Sequence, residues 1–187
     1  MQKTPRPDSV SVKNDGSSLR LVYYWFTWRA VYTLVIAFIW NFVFWTGFAP
    51  GILRGSNGFE IFPFAYISYA FMIAGVGIAY YALASVFNWT VITTDRVELK
   101  IRHMPFPWLG NRTMLCSDLQ QLYCEEIIGS MRSGGRYFQL NAISPDNRKI
   151  TLLSRVSEAG AAIFIEKEVE TYLGIRDERV AGEYGHK

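Results

Sequence analysis

Charge is what this sequence has least of, and its absence is localised. No Asp, Glu, Lys or Arg occurs from Ala30 through Leu53, nor from Ile61 through Thr94. Histidine and cysteine are nearly absent too, with only His103, His186, Cys116 and Cys124. Two cysteines make no disulfide framework, and their spacing is no zinc knuckle, so both read as small buried apolar residues. With His186 in the tail, a Cys–His nucleophile pair would need His103 beside an exposed Cys116 or Cys124. Gly-rich phosphate loops are missing: Ser130–Arg136 has no helix after it. Glu125-Glu126 and the C-terminal acidic residues lack metal-ligand partners, so no metal and no cofactor is expected. The absence of an ionisable group at the centre of either uncharged run argues against ion or proton transport. No signal peptide is expected either, since the first apolar run starts late and is too long.

What is present is apolar and aromatic, with 6 Trp, 11 Tyr and 13 Phe in 187 residues. A bilayer core takes about 20 mostly apolar residues per crossing helix, and each uncharged run is long enough. The reading is a transmembrane hairpin: a first helix over 28–48, an extracytoplasmic turn over 49–63, and a second helix over 64–87. Pro50, Gly51, Gly55 and Gly58 break the turn, and Pro63 opens the second helix. Asn41 lies inside the first span and is expected to face the partner helix. The second span is rich in small residues, and Gly75 with Ala79 forms a small-xxx-small pair; Gly75, Gly77 and Ala79 are therefore expected helix-packing positions, against the first span or a partner subunit.

Flanking charge sets the orientation. The turn carries Arg54 and Glu60, which cancel, while Lys3, Arg6, Lys13, Arg20 and Arg29 precede the hairpin and Arg96, Lys100, Arg102 and Arg112 follow it. The positive-inside rule places both termini in the cytoplasm of a multi-pass protein of the bacterial inner membrane. The net charge of +3 is too small to argue for nucleic acid.

Residues 1–18 are polar with two prolines and read as a flexible arm. In 19–27, Leu19, Leu21, Tyr23 and Trp25 alternate with Arg20, Val22 and Tyr24. This is either the interfacial start of the first helix or a strand of the C-terminal domain, and the alternation favours the strand. From Asn88 onward six short strands are expected: Trp89–Thr94, Val97–Arg102, Arg112–Cys116, Leu119–Ile127, Tyr137–Ile143 and Lys149–Leu153. One amphipathic helix follows, with Ser157 as N-cap, Ala162, Ile165, Val169, Tyr172 and Leu173 on the apolar face, Glu166, Lys167, Glu168 and Glu170 on other faces, and Gly174 as stop. The fold class is thus a membrane α-helical hairpin plus an α+β, mostly antiparallel, cytoplasmic domain over 88–175, with a tail over 176–187.

Three pieces carry a family resemblance: Pro105–Thr113 (PFPWLGNRT), Asp118–Glu125 (opening DLQQL) and Ile165–Ile175 (IEKEVETYLGI). Over residues 19–180 the chain resembles uncharacterised bacterial two-helix membrane proteins with a PH-like domain. Its order and spacing are similar, more distantly, to the two-helix photosystem I assembly factor, though that factor's detailed motifs are missing. The resemblance implies a PH-like fold and a binding role.

Docking residues follow from position. Phe106 and Trp108, large and apolar between prolines in a loop, are expected to meet a partner protein or the membrane interface. Lys100, Arg102, Arg112, Arg132 and Arg136 flank loops and offer charge to anionic lipid or a partner. The expected function is a non-enzymatic assembly factor or accessory subunit of a larger membrane (bioenergetic) complex. An anionic-lipid-binding anchor or sensor is the alternative, and an enzyme of unrecognised type a second. The expected partners are the bilayer and other membrane-protein subunits.

Overall fold

The computed structural model describes residues 5–50, 64–128, 135–176, 178, 180 and 182–184. The chain divides into two compact units: residues 1–25 with 89–187, and residues 26–88.

Among the described residues the first unit holds eight strands and a helix. Strands β1 (Val10–Asn14), β2 (Leu19–Tyr24), β3 (Trp89–Thr94), β4 (Glu98–Met104) and β5 (Arg112–Leu115) form one antiparallel sheet in that order. Strands β6 (Gln121–Ile128), β7 (Arg136–Ile143) and β8 (Lys149–Val156) form a second. Helix α3 (Ala159–Leu173) follows them in the chain. Period-two alternation explains β2 and β4 directly: Leu19, Leu21, Tyr23, Leu99 and Ile101 are buried, while Arg20, Tyr24, Lys100 and Arg102 between them are exposed.

One core joins both sheets and the helix. Leu21, Ile92, Leu99, Ile101, Leu122, Leu140, Val156, Ile165 and Val169 belong to it, and none of the described residues of 26–88 does. Each of these side chains contributes about 1.5–3 kcal/mol on burial.

Three expectations need correction. The flexible arm over 1–18 contains β1, paired along its length with β2. Its turn explains this: Asn14 Oδ1 accepts from Gly16 N at 2.8 Å, Gly16 takes φ +78°, and Asp15 N donates to Ser18 O. Val10 is buried in the core, so the strand is anchored from both sides. Second, Ser157 does not cap helix α3 (Ala159–Leu173). Glu158 is the N-cap residue and makes no side-chain cap bond. Ser157 turns to β2 instead, with its hydroxyl 3.0 Å from Tyr23 Oη and its N–H donating to the same oxygen at 3.1 Å. Burial raises the Tyr23 phenol above its ordinary pKa, so it stays a neutral partner. Third, Glu166 and Glu170, expected on faces other than the apolar one, are both buried. Glu170 Oε1 accepts from Leu122 N at 3.2 Å, supplying an acceptor to β6 that no neighbouring strand provides. Gly174 ends the helix at φ +71°.

The second unit is a pair of packed helices, α1 (Trp28–Val43) and α2 (Phe64–Phe87), with a π-helical turn over Phe44–Phe48 extending α1. Thr27 caps α1, its Oγ1 accepting from Ala30 N. Over Trp28–Gly47 and Tyr66–Phe87 the two are long and apolar enough to cross a membrane. Residues 51–63, with Arg54 and Glu60, lie outside the described residues.

Candidate functional site

The helix seam is built from small side chains at heptad-like spacing. Ala30 and Ala37 on α1 and Gly75 and Ala82 on α2 are buried, with Leu34, Asn41, Ser68, Met72 and Ala79 half-buried at the same spacing; Ala84, on another side of α2, is buried as well. Steps of four and three residues keep one stripe of each helix turned toward the other. Asn41 sits at the middle of it. Its Nδ2 donates to Gly75 O across the seam at 3.0 Å and to Ala37 O at 2.8 Å. Gly75 is what lets the amide in: a Cβ there would lie 3.0 Å from Asn41 Oδ1 and 3.3 Å from the Trp40 ring. Gly77 does not belong to the seam. It is exposed, and a Cβ there meets nothing within 4 Å, because two residues past Gly75 the helix has turned to its opposite side. Ala70 and Ala74 share that outward side and are exposed as well.

The docking residues separate once the strand register is known. Residues directly opposite in an antiparallel pair point to the same face. On the outer face of the five-stranded sheet, Lys13, Arg20, Thr93, Lys100 and Thr113 align in one cross-strand rank. The next rank carries Val22, Val91 and Arg102, and the third carries Tyr24, Trp89 and Met104. Lys100 and Arg102 thus share a face with Lys13 and Arg20. Sequence reasoning missed the last two, and the Asp15-Gly16 turn pairing β1 with β2 is the signal that could have found them. Arg112 pairs with the core residue Ile101 and lies on the other face, at the sheet edge. Arg136 stands on the second sheet, 3.5 Å from Glu126. Arg132 lies outside the described residues.

On the outer face, Lys13 lies 3.5 Å from Asp15 and Lys100 lies 2.6 Å from Glu98. Both pairs are exposed, so each is worth little. Arg20 and Arg102 have no ion-pair partner among the described residues.

Phe106 and Trp108 lie in the loop Met104–Gly110, which opens with a cis Met104–Pro105 peptide. Both are half-buried rather than free. The Trp108 ring meets Trp25 edge-on at 5.6 Å, and Trp25 meets His103 at 5.3 Å. Thr90 Oγ1 accepts from Trp25 Nε1 at 2.7 Å and lies 2.8 Å from His103 Nδ1. Asn111 Oδ1 accepts from His103 N, and Gly110, at φ +113°, leaves room for His103 Nε2, which a Cβ would approach to 2.9 Å. The ring fastens the loop to the sheet, and burial holds its pKa below the ordinary histidine value. The fully projecting apolar side chain of the loop is Leu109, 92% exposed.

The nucleophile candidates are occupied by packing. Cys124 is fully buried, and burial followed by nearby carboxylates pushes its thiol up to about 12, far from thiolate chemistry at neutral pH. Cys116 Sγ lies 3.5 Å from Thr94 Oγ1. Among the described residues no three His, Cys, Asp or Glu side chains group to hold a metal ion. Compared with known proteins, the chain matches no family model, and no curated protein matches it.

Proposed function

We propose that this chain is a non-enzymatic integral membrane protein that serves as an assembly or accessory factor of a larger membrane complex. In this reading α1 and α2 form a transmembrane hairpin, with both termini in the cytoplasm of a bacterial inner membrane. The observation that carries it is the inverted exposure of the helix pair: Trp28, Tyr32, Ile36, Phe38, Tyr66 and Ile73 stand outward, while the β unit closes its own core without them. Such an apolar circumference suits hydrocarbon, with the Asn41 amide satisfied internally.

The β unit is the docking module. Setting β1 aside, seven strands and a C-terminal helix remain, the complement of a PH-like domain. Leu109 projects beside the anchored Trp108 as a hydrophobic contact for a protein partner. The outward small residues Ala70, Ala74 and Gly77 suit close approach of another helix. Native purification in mild detergent tests the reading. Stoichiometric co-migration with a multisubunit membrane complex, weakened by Leu109→Asp, is the expected result. An isolated monomer recovered from carbonate-washed membranes would refute the accessory role, and recovery in the soluble fraction would refute the membrane assignment.

A further inference from the structure

The outer face of the five-stranded sheet changes character along its strands. Its last rank, Tyr24, Trp89 and Met104, is apolar and aromatic, with Tyr24 and Trp89 rings 6.5 Å apart. The ranks before it carry Arg102, then Arg20 with Lys13 and Lys100. Chain connectivity orders this gradient. β2 ends at Tyr24 and α1 begins at Trp28; α2 ends at Phe87 and β3 begins at Trp89. The aromatic rank is therefore the one joined most directly to both apolar helices. Each successive rank lies roughly 7 Å further along the strands.

We propose that this face binds anionic phospholipid headgroups of the membrane that α1 and α2 span; the inference rests on that membrane assignment. The order of side chains matches a bilayer surface read outward. Tyr and Trp suit the headgroup region, and cations suit the anionic layer over it. Arg20 and Arg102 supply the recognition, because they are the cations of the face without an ion-pair partner among the described residues, whereas Glu98 and Asp15 partly neutralise Lys100 and Lys13. Guanidinium groups suit phosphodiesters through paired, charge-assisted hydrogen bonds.

The test uses the full chain in nanodiscs of phosphatidylcholine, with or without phosphatidylglycerol. An environment-sensitive dye is placed at Ser11→Cys, on the Arg102 rank, in a Cys116→Ser background, with circular dichroism confirming the fold. The emission is expected to shift to the blue when phosphatidylglycerol is present and to return in high salt, where the screening length falls to about 3 Å. Arg20→Gln and Arg102→Gln should each raise the phosphatidylglycerol needed for half the shift about fivefold. Identical emission in both lipids, or a shift that survives Arg20→Glu with Arg102→Glu, overturns the proposal. So does a lipid-insensitive face that instead retains an acidic protein in an arginine-dependent way. Failure of the chain to co-elute with the nanodisc refutes the membrane assignment itself, and is thereby distinguished from failure of the face.

Discussion

The β unit and the helix pair dispose of apolar side chains in opposite directions. In the β unit Leu21, Leu99, Ile101, Leu140 and Ile165 are each at most 2% exposed, whereas on the helices Trp28, Phe38 and Ile73 are 69% exposed or more. The buried positions along the helix pair are instead small, Ala30, Ala37, Ala49, Gly75, Ala82 and Ala84, with the Asn41 amide half-buried among them. Large-in, polar-out is the arrangement water selects. Small-in, large-out is the arrangement expected where hydrocarbon is the solvent and close packing replaces the hydrophobic effect. The helix pair has the second arrangement and the β unit the first.

Leu99→Ala against Phe38→Ala tests the contrast most strongly. The first leaves a cavity in the β core and should cost about 2–5 kcal/mol in denaturant unfolding; the second should cost much less in lipid. Phe38→Asp sharpens it, because a carboxylate near the middle of a spanning helix costs about 3 kcal/mol of insertion and should lower the membrane-integrated fraction. If water is the true solvent of that face, Phe38→Asp will be neutral. Next in size is Gly75→Leu, which should destabilise the α1–α2 pair by about 1–3 kcal/mol through overpacking against Asn41 and Trp40, while Gly77→Leu does little. Reconstituted unfolding in mixed micelles would separate the two. The smallest effect belongs to His103. Its native pKa lies below the ordinary value of 6.5, so as pH falls through 6.5 the unfolded chain takes up the proton first. Stability should therefore fall from its full value above 6.5, down to the native pKa. His103→Gln should remove that dependence, read as thermal midpoint against pH.

The periodic elements were legible in the sequence because burial on one face writes itself into residue alternation. Leu19–Tyr24 is a strand for that reason, as is Glu98–Met104, whereas Trp89–Thr94 is legible from its β-branched run and is buried on both faces. β1 was lost because Val10-Ser11-Val12 is short and stands among polar residues, although Asn14-Asp15-Gly16 after it is a strong hairpin signal. The buried positions of Glu166 and Glu170 were illegible, since what satisfies Glu170 is a strand edge distant in the chain. Sharing of one face by Lys13, Arg20, Lys100 and Arg102 depends on register across four strands, which no local pattern records. For the same reason Arg112 was grouped with residues from which the register divides it.

Tyr24 and Trp89 are direct cross-strand partners, although the whole helix pair lies between them in the chain. Topologically, residues 26–88 occupy the place of a hairpin loop. The β unit is therefore a continuous fold into which the apolar helix pair is inserted, and the insertion is reversible in principle. Joining Tyr24 to Trp89 through an Asn-Gly turn would make an ordinary two-residue hairpin. The product should be a water-soluble miniature with the same core.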